Sequence, residues 1–109
     1  MPARPKAVRL LLSSLASLSL LAACGNVCVA GDVKAGRAKA LMCQACHGLD
    51  GLSKVPDAPN IAGQPEPYLV AQMQAFKSGQ KPATVMDRIA KGFTDAEIQD
   101  IAKWYAQQK

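Results

Sequence analysis

The chain has 109 residues, 50% of them hydrophobic, 19% charged and 5% aromatic, with 13 Lys+Arg against 8 Asp+Glu. That length holds one small domain and excludes a multidomain enzyme with its own nucleotide-binding fold. The apolar fraction excludes a disordered chain, and four Cys in so short a sequence require a chemical role.

Residues 1–30 read as an export leader. Arg4, Lys6 and Arg9 form a basic start, and Leu10–Ala23 is an apolar run without a charge. It is shorter than the roughly 20 residues a bilayer-spanning helix needs. Two processing signals compete. Cys28-Val29-Ala30 places small residues before Gly31, whereas Leu21-Ala22-Ala23-Cys24 resembles a bacterial lipobox, where a lipidated Cys24 would tether the domain to a membrane. Cleavage after Ala30 removes Cys24 and Cys28 together. Lipidation at Cys24 strands Cys28 as a lone thiol in an oxidising compartment, so the arithmetic favours a soluble exported domain of residues 31–109 in the periplasm. The leader holds three of the 13 basic residues and none of the acids, which leaves ten against eight, a net charge of +2. No basic patch interleaved with aromatics remains for nucleic acid.

The elements of 31–109 follow in order. Gly31–Leu41 predicts a helix capped by Asp32, with Gly36 and Ala40 giving one face on which another helix can approach closely. Residues 48–65, rich in Gly and Pro, predict a long loop of the kind that wraps something or carries function. A second helix is expected over 66–78, with Pro67 in its first turn and Gly79 closing it. Leu69, Met73 and Phe76 form its stripe. Residues 80–86 read as another loop. A last helix starts near Thr94, with Glu97 completing a capping box and Ile98, Ile101, Ala102 and Tyr105 forming an apolar face. No period-two alternation marks a strand, so the fold class is all-α, with three to five short helices. One Trp, two Tyr and two Phe are too little core for such a chain unless a cofactor adds apolar surface.

Cys43-Gln44-Ala45-Cys46-His47 supplies that cofactor, because C-x-x-C-H is the signature of covalent haem attachment. Two thiols three residues apart on one turn can add to the two vinyl groups of one porphyrin, and the adjacent His47 then lies under the iron as its ligand. Zinc needs four ligands and finds two Cys and one His in 31–109. A thioredoxin-like pair needs a βαβ context, and a structural disulfide does not need the His.

The sixth iron ligand must come from elsewhere, since the sequence has one His. Met42 adjoins Cys43 and cannot reach the other face of the porphyrin. Met73 sits on a helix stripe, where core packing is its ordinary role. Met86 lies in the predicted loop between helices and is the preferred ligand, because a thioether raises the reduction potential and suits electron transfer. If neither Met binds, five-coordinate iron would make a ligand-binding or peroxidase-type protein.

Gly31-Asp32 and Gly36 leading into Cys43–His47, then Pro59-Asn60-Ile61-Ala62-Gly63-Gln64, Tyr68-Leu69, Met86, and Thr94-Asp95 with Ile98, Ala102 and Tyr105 resemble a class I cytochrome c, over essentially all of 31–109. The likeness is to small bacterial c553-like cytochromes and to half-domains of bacterial di-haem cytochromes. The resemblance implies one covalent haem c wrapped by short helices, thioether bonds at Cys43 and Cys46, His47 as proximal ligand and Met86 as distal ligand. It also implies that the Pro59 carbonyl accepts from the His47 ring, and that the first and last helices cross with Gly36 against 101–105. A narrower run, Phe76-Lys77-Ser78-Gly79 with Thr84–Phe93, is similar to the haem subunit of flavocytochrome c sulfide dehydrogenase, which pairs with an FAD-bearing subunit. The expected role is electron transfer rather than catalysis. It is either a mono-haem periplasmic carrier meeting redox partners through a rim that includes Arg88 and Lys91, or the electron-accepting subunit of such a dehydrogenase.

Overall fold

The computed structural model describes residues 31–109; the leader, Cys24 and Cys28 lie outside the described residues. Five helices follow in order: α1 (Val33–Ala40), α2 (Gln44–His47), α3 (Glu66–Ser78), α4 (Met86–Lys91) and α5 (Asp95–Ala106). All regular structure among the described residues is helical, and no helix there is long and apolar enough to cross a membrane.

Local chemistry explains where the longer helices begin and end. The Asp32 carboxylate caps α1 by accepting from the backbone N–H of Lys34 at 2.8 Å and Ala35 at 3.3 Å. α3 carries Pro67 in its first turn, where a missing N–H costs nothing, and stops at Gly79. At α5 the Thr94 hydroxyl accepts from Glu97 N at 3.2 Å, and the Glu97 carboxylate accepts from Thr94 N at 2.9 Å.

The five helices lie within the three to five expected; the sequence pattern places three of them, and the structure shows α2 and α4 as the others. α2 is four residues long, inside the C-x-x-C-H motif, and α4 is six. Both are too short to show a helical period, and neither has a side-chain cap. Met86 therefore opens α4 instead of lying in the preceding loop, which is a correction to the expectation above.

α1 and α5 cross tightly. A Cβ added at Gly36 would overlap the carbonyl oxygen of Asp100 and stand 3.1 Å from Trp104 Cβ, so the backbones meet where the small residue allows it. The contact reaches one residue before the 101–105 span expected. Asp32 N donates to Asp100 Oδ1 at 2.7 Å, and Lys39 Nζ pairs with Glu97 at 2.8 Å. Behind this crossing lies the buried core of Ala40, Leu69, Phe93, Ile98, Ile101, Ala102 and Tyr105. α3 is tied to the start of α5 by Lys77 Nζ, which donates to Phe93 O at 2.7 Å and Asp95 Oδ1 at 3.0 Å. Parts of the loops 48–65 and 80–85, with Val55, Pro59, Pro82 and Val85 among them, border one cleft with the motif.

Candidate haem site

α1 delivers the chain into Cys43, and the single turn of α2 fixes the motif that follows. His47 N donates to Cys43 O at 2.9 Å and Lys54 N donates to Cys46 O at 2.8 Å, so both ends of the turn are pinned. Both thiols are free: Cys43 is half-buried and Cys46 exposed. Burial pushes the Cys43 thiol up, while a hydrogen bond with Tyr105 works in the opposite direction.

His47 is 9% exposed. Its Nδ1 lies 2.9 Å from the Pro59 carbonyl oxygen. A carbonyl can only accept, so this bond places the proton on Nδ1 and leaves the Nε2 lone pair free for a metal. Pro59 can hold this position because the loop after the motif is folded on itself: Ile61 N donates to Gly51 O at 2.8 Å, and Ser53 N donates to Asn60 Oδ1 at 2.7 Å.

Beside this imidazole opens a cleft with two lobes, of about 280 and 410 Å³, which share Cys43, His47, Pro59, Phe76 and Met86. Together they lie within the range of cofactor pockets. The inner lobe is completed by Leu69, Met73 and Ile101 among others, and the outer lobe by Met42, Cys46, Val55, Val85 and Ile89. The structure thus brings Cys43, Cys46, His47, Pro59 and Met86 to one cleft. Met86 lines both lobes, while Met73 lines only the inner one. The α3 stripe, read from sequence as core, divides its work: Leu69 is buried in the core and Met73 packs against it while both also line the cleft, and Phe76 lines the cleft without joining that core. Next to Met86, Asp87 Oδ1 is buried without a hydrogen-bond partner. Its charge sits in the first turn of α4, where the helix dipole favours it.

A family model described as Cytochrome c matches residues 33–109. The chain belongs to the cytochrome c family. It is 43% identical over 101 residues to a cytochrome c4 of Pseudomonas aeruginosa, covering 93% of this chain and 49% of that protein. It is 41% identical over 83 residues to cytochrome c-554(548) of Halomonas halodenitrificans, covering 73% of this chain and 100% of that protein. The cytochrome subunit of sulfide dehydrogenase from Chlorobaculum tepidum is 40% identical over 70 residues, covering 64% of this chain and 63% of that one. Among solved structures, reduced recombinant cytochrome c4 from Pseudomonas stutzeri superposes with a TM-score of 0.67 at 38% identity, covering 73% of this chain and 47% of that one. The chain spans about half the length of these cytochrome c4 proteins. The fold is that of class I cytochromes c, and the family's cofactor is covalently bound haem c. The donor set fits it: two free thiols, an imidazole oriented by its second nitrogen, and a thioether all border one largely apolar cleft.

Tyr105 was not separable from the rest of the α5 apolar face by periodicity. It lines the inner lobe, is 1% exposed, and donates its hydroxyl to Gly48 O at 2.9 Å. The available signal was the choice of Tyr at a core position, since a buried phenol must find a partner. Burial, and after it the neighbouring Cys43, push its ionisation far above the ordinary tyrosine range.

Proposed function

We propose that this domain is a mono-haem electron carrier working in the periplasm, with His47 and Met86 as the two axial ligands. The observation that supports this most is the shared cleft of Cys43, Cys46, His47 and Met86, with His47 Nδ1 committed to Pro59 O. When bound, haem supplies a one-electron couple between ferric and ferrous iron. Cys43 and Cys46 would hold it, each S–H adding across a vinyl double bond with no atom lost. His47 would bind through Nε2, and its bond to Pro59 keeps the ring oriented and raises its basicity. Met86, which lines both lobes with His47, would offer a soft sulfur, and Leu69, Phe76 and Ile101 would exclude water from the iron.

At the cleft mouth Met42 is 73% exposed and Val85 47% exposed, which leaves apolar surface beside Cys46 for brief docking of a redox partner. Arg88 and Lys91, both exposed on α4, would steer that encounter. Export of the domain rests on the leader pattern. Replacing Cys24 by Ser should leave processing and release unchanged. Blocked processing, or a wild-type protein that stays with the membrane through Cys24, would instead establish a lipid anchor.

The similarity to a cytochrome subunit of sulfide dehydrogenase favours a second reading, in which the domain drains electrons from an FAD-bearing partner. Size-exclusion chromatography of the protein taken gently from its native source, read by absorption, decides between them. Haem bands alone at monomer size support the carrier. Haem co-eluting with flavin in a much larger complex supports the subunit.

A further inference from the structure

The residues directly after the motif are held by α5 in a way that packing alone does not require. Three carbonyls around His47 are each captured. Cys46 O accepts from Lys54 N at 2.8 Å, Gly48 O from the Tyr105 hydroxyl at 2.9 Å, and Leu49 O from Trp104 Nε1 at 2.9 Å. The last two donors are adjacent side chains of α5, and the acceptors are the two residues that leave His47. Gly48 has φ of 76°, a conformation that other residues rarely adopt, and a Cβ there would crowd Leu52 O. The peptide after His47 is therefore fixed by its backbone shape on one side and by a buried phenol on the other. The same phenol and Cys43, at the other end of the motif, line one lobe of the cleft. The grip extends to the loop that carries Pro59, because Gly63 N donates to Tyr105 O at 2.9 Å.

We infer that Tyr105, supported by Trp104, is a positioning residue for the haem: its hydroxyl holds the Gly48 carbonyl directly after His47, so that α5 sets the angle of the proximal imidazole. A phenol has one proton. It goes to Gly48 O, 2.9 Å away. Losing the hydroxyl leaves Gly48 O buried without its donor, and the chain after His47 relaxes to find another. Pro59 O still holds Nδ1, so the ring stays bound but turns. Two donors side by side on one helix also make the iron site responsive to the α1–α5 crossing, where Trp104 lies against Gly36.

The test is Tyr105→Phe in the haem-loaded protein, which keeps the ring and its burial and removes only the oxygen. The hyperfine-shifted haem-methyl proton resonances of the ferric form report the orientation of the axial ligands, and a redox titration reports the potential. The expected result is a changed spread of the haem-methyl resonances together with a shifted potential. Trp104→Phe should move both in the same sense by less. Ile98→Val, a fully buried core change, should lower the unfolding midpoint and move neither. The inference is overturned if Tyr105→Phe leaves the resonances unmoved, or if Ile98→Val moves them as far. If Tyr105→Phe yields no folded holoprotein, Trp104→Phe decides, and unmoved resonances there overturn it. The inference rests on His47 as proximal ligand. Failure of that reading would show separately, as wild-type ferric protein without the resonances of an iron-bound imidazole.

Discussion

The α1–α5 crossing and the cleft wall beside it use similar apolar residues to different ends. At the crossing, Gly36 sits under the Asp100 carbonyl, and Ile98 is 0% exposed and Tyr105 1%. Across the cleft, Met73 and Phe76 are only partly buried, Val55 is 37% exposed and Met42 73%. A chain with five aromatic residues cannot close two cores of its own. It closes one with helices and shapes the other to a flat apolar cofactor. The first region sets stability. The second sets chemistry, and Tyr105 belongs to both.

That division can be broken experimentally. The largest effect is expected from the double change Cys43→Ser with Cys46→Ser, which removes both thioether bonds. No haem should remain after denaturing extraction. Amide hydrogen exchange should lose protection across 48–65 and 80–91 while α1 and α5 keep the slowest amides. Uniform loss of protection would mean that the two regions are not separable. Next comes Gly36→Ala, whose methyl has no space beneath Asp100. Overpacking of this kind costs about 3 kcal/mol, read as a lower denaturant midpoint of the holoprotein. An unchanged midpoint would show that the crossing is looser than its geometry.

Smaller effects follow from α5. Thr94→Ala removes one half of the capping box and should cost about 1 kcal/mol with the haem spectrum unchanged. The smallest effect is acid sensitivity. The hydrogen bond from Gln74, followed by that from Lys77, holds the Asp95 carboxyl below its ordinary range, and Lys39 does the same for Glu97. Their folded values lie below the unfolded ones, so their stabilisation is complete above the unfolded range near pH 4 and is lost as pH falls through the lower folded values. Asp95 is exposed and Glu97 partly so, and the effect is small and screened by salt. A melting temperature followed from about pH 5 downward should fall less steeply for Glu97→Gln than for wild type, and equal slopes would remove this ion pair from the account.

Much of this was legible in the residues. Asp32, Thr94 with Glu97, Pro67 and Gly79 are local signals, and they give the ends of α1, α3 and α5 because capping depends on neighbours in sequence. The C-x-x-C-H spacing states its chemistry directly. The start of α4 at Met86 was not legible, since six residues make too short a helix to show a period and Val85 offers no cap. The part that Leu69, Met73 and Phe76 play in the cleft was hidden because helical spacing shows that a face is apolar without showing what covers it. The Tyr105 and Trp104 hydrogen bonds span 57 and 55 residues of sequence, and no local pattern reports them.

The central proposal is that His47 and Met86 would be the two protein ligands of the haem iron. It is tested most directly by the near-infrared absorption of the ferric protein in wild type, Met86→Ala and Met73→Ala. The account predicts a sulfur-to-iron charge-transfer band in wild type and in Met73→Ala, and its loss in Met86→Ala with haem still attached. A band that survives Met86→Ala and disappears in Met73→Ala would contradict it.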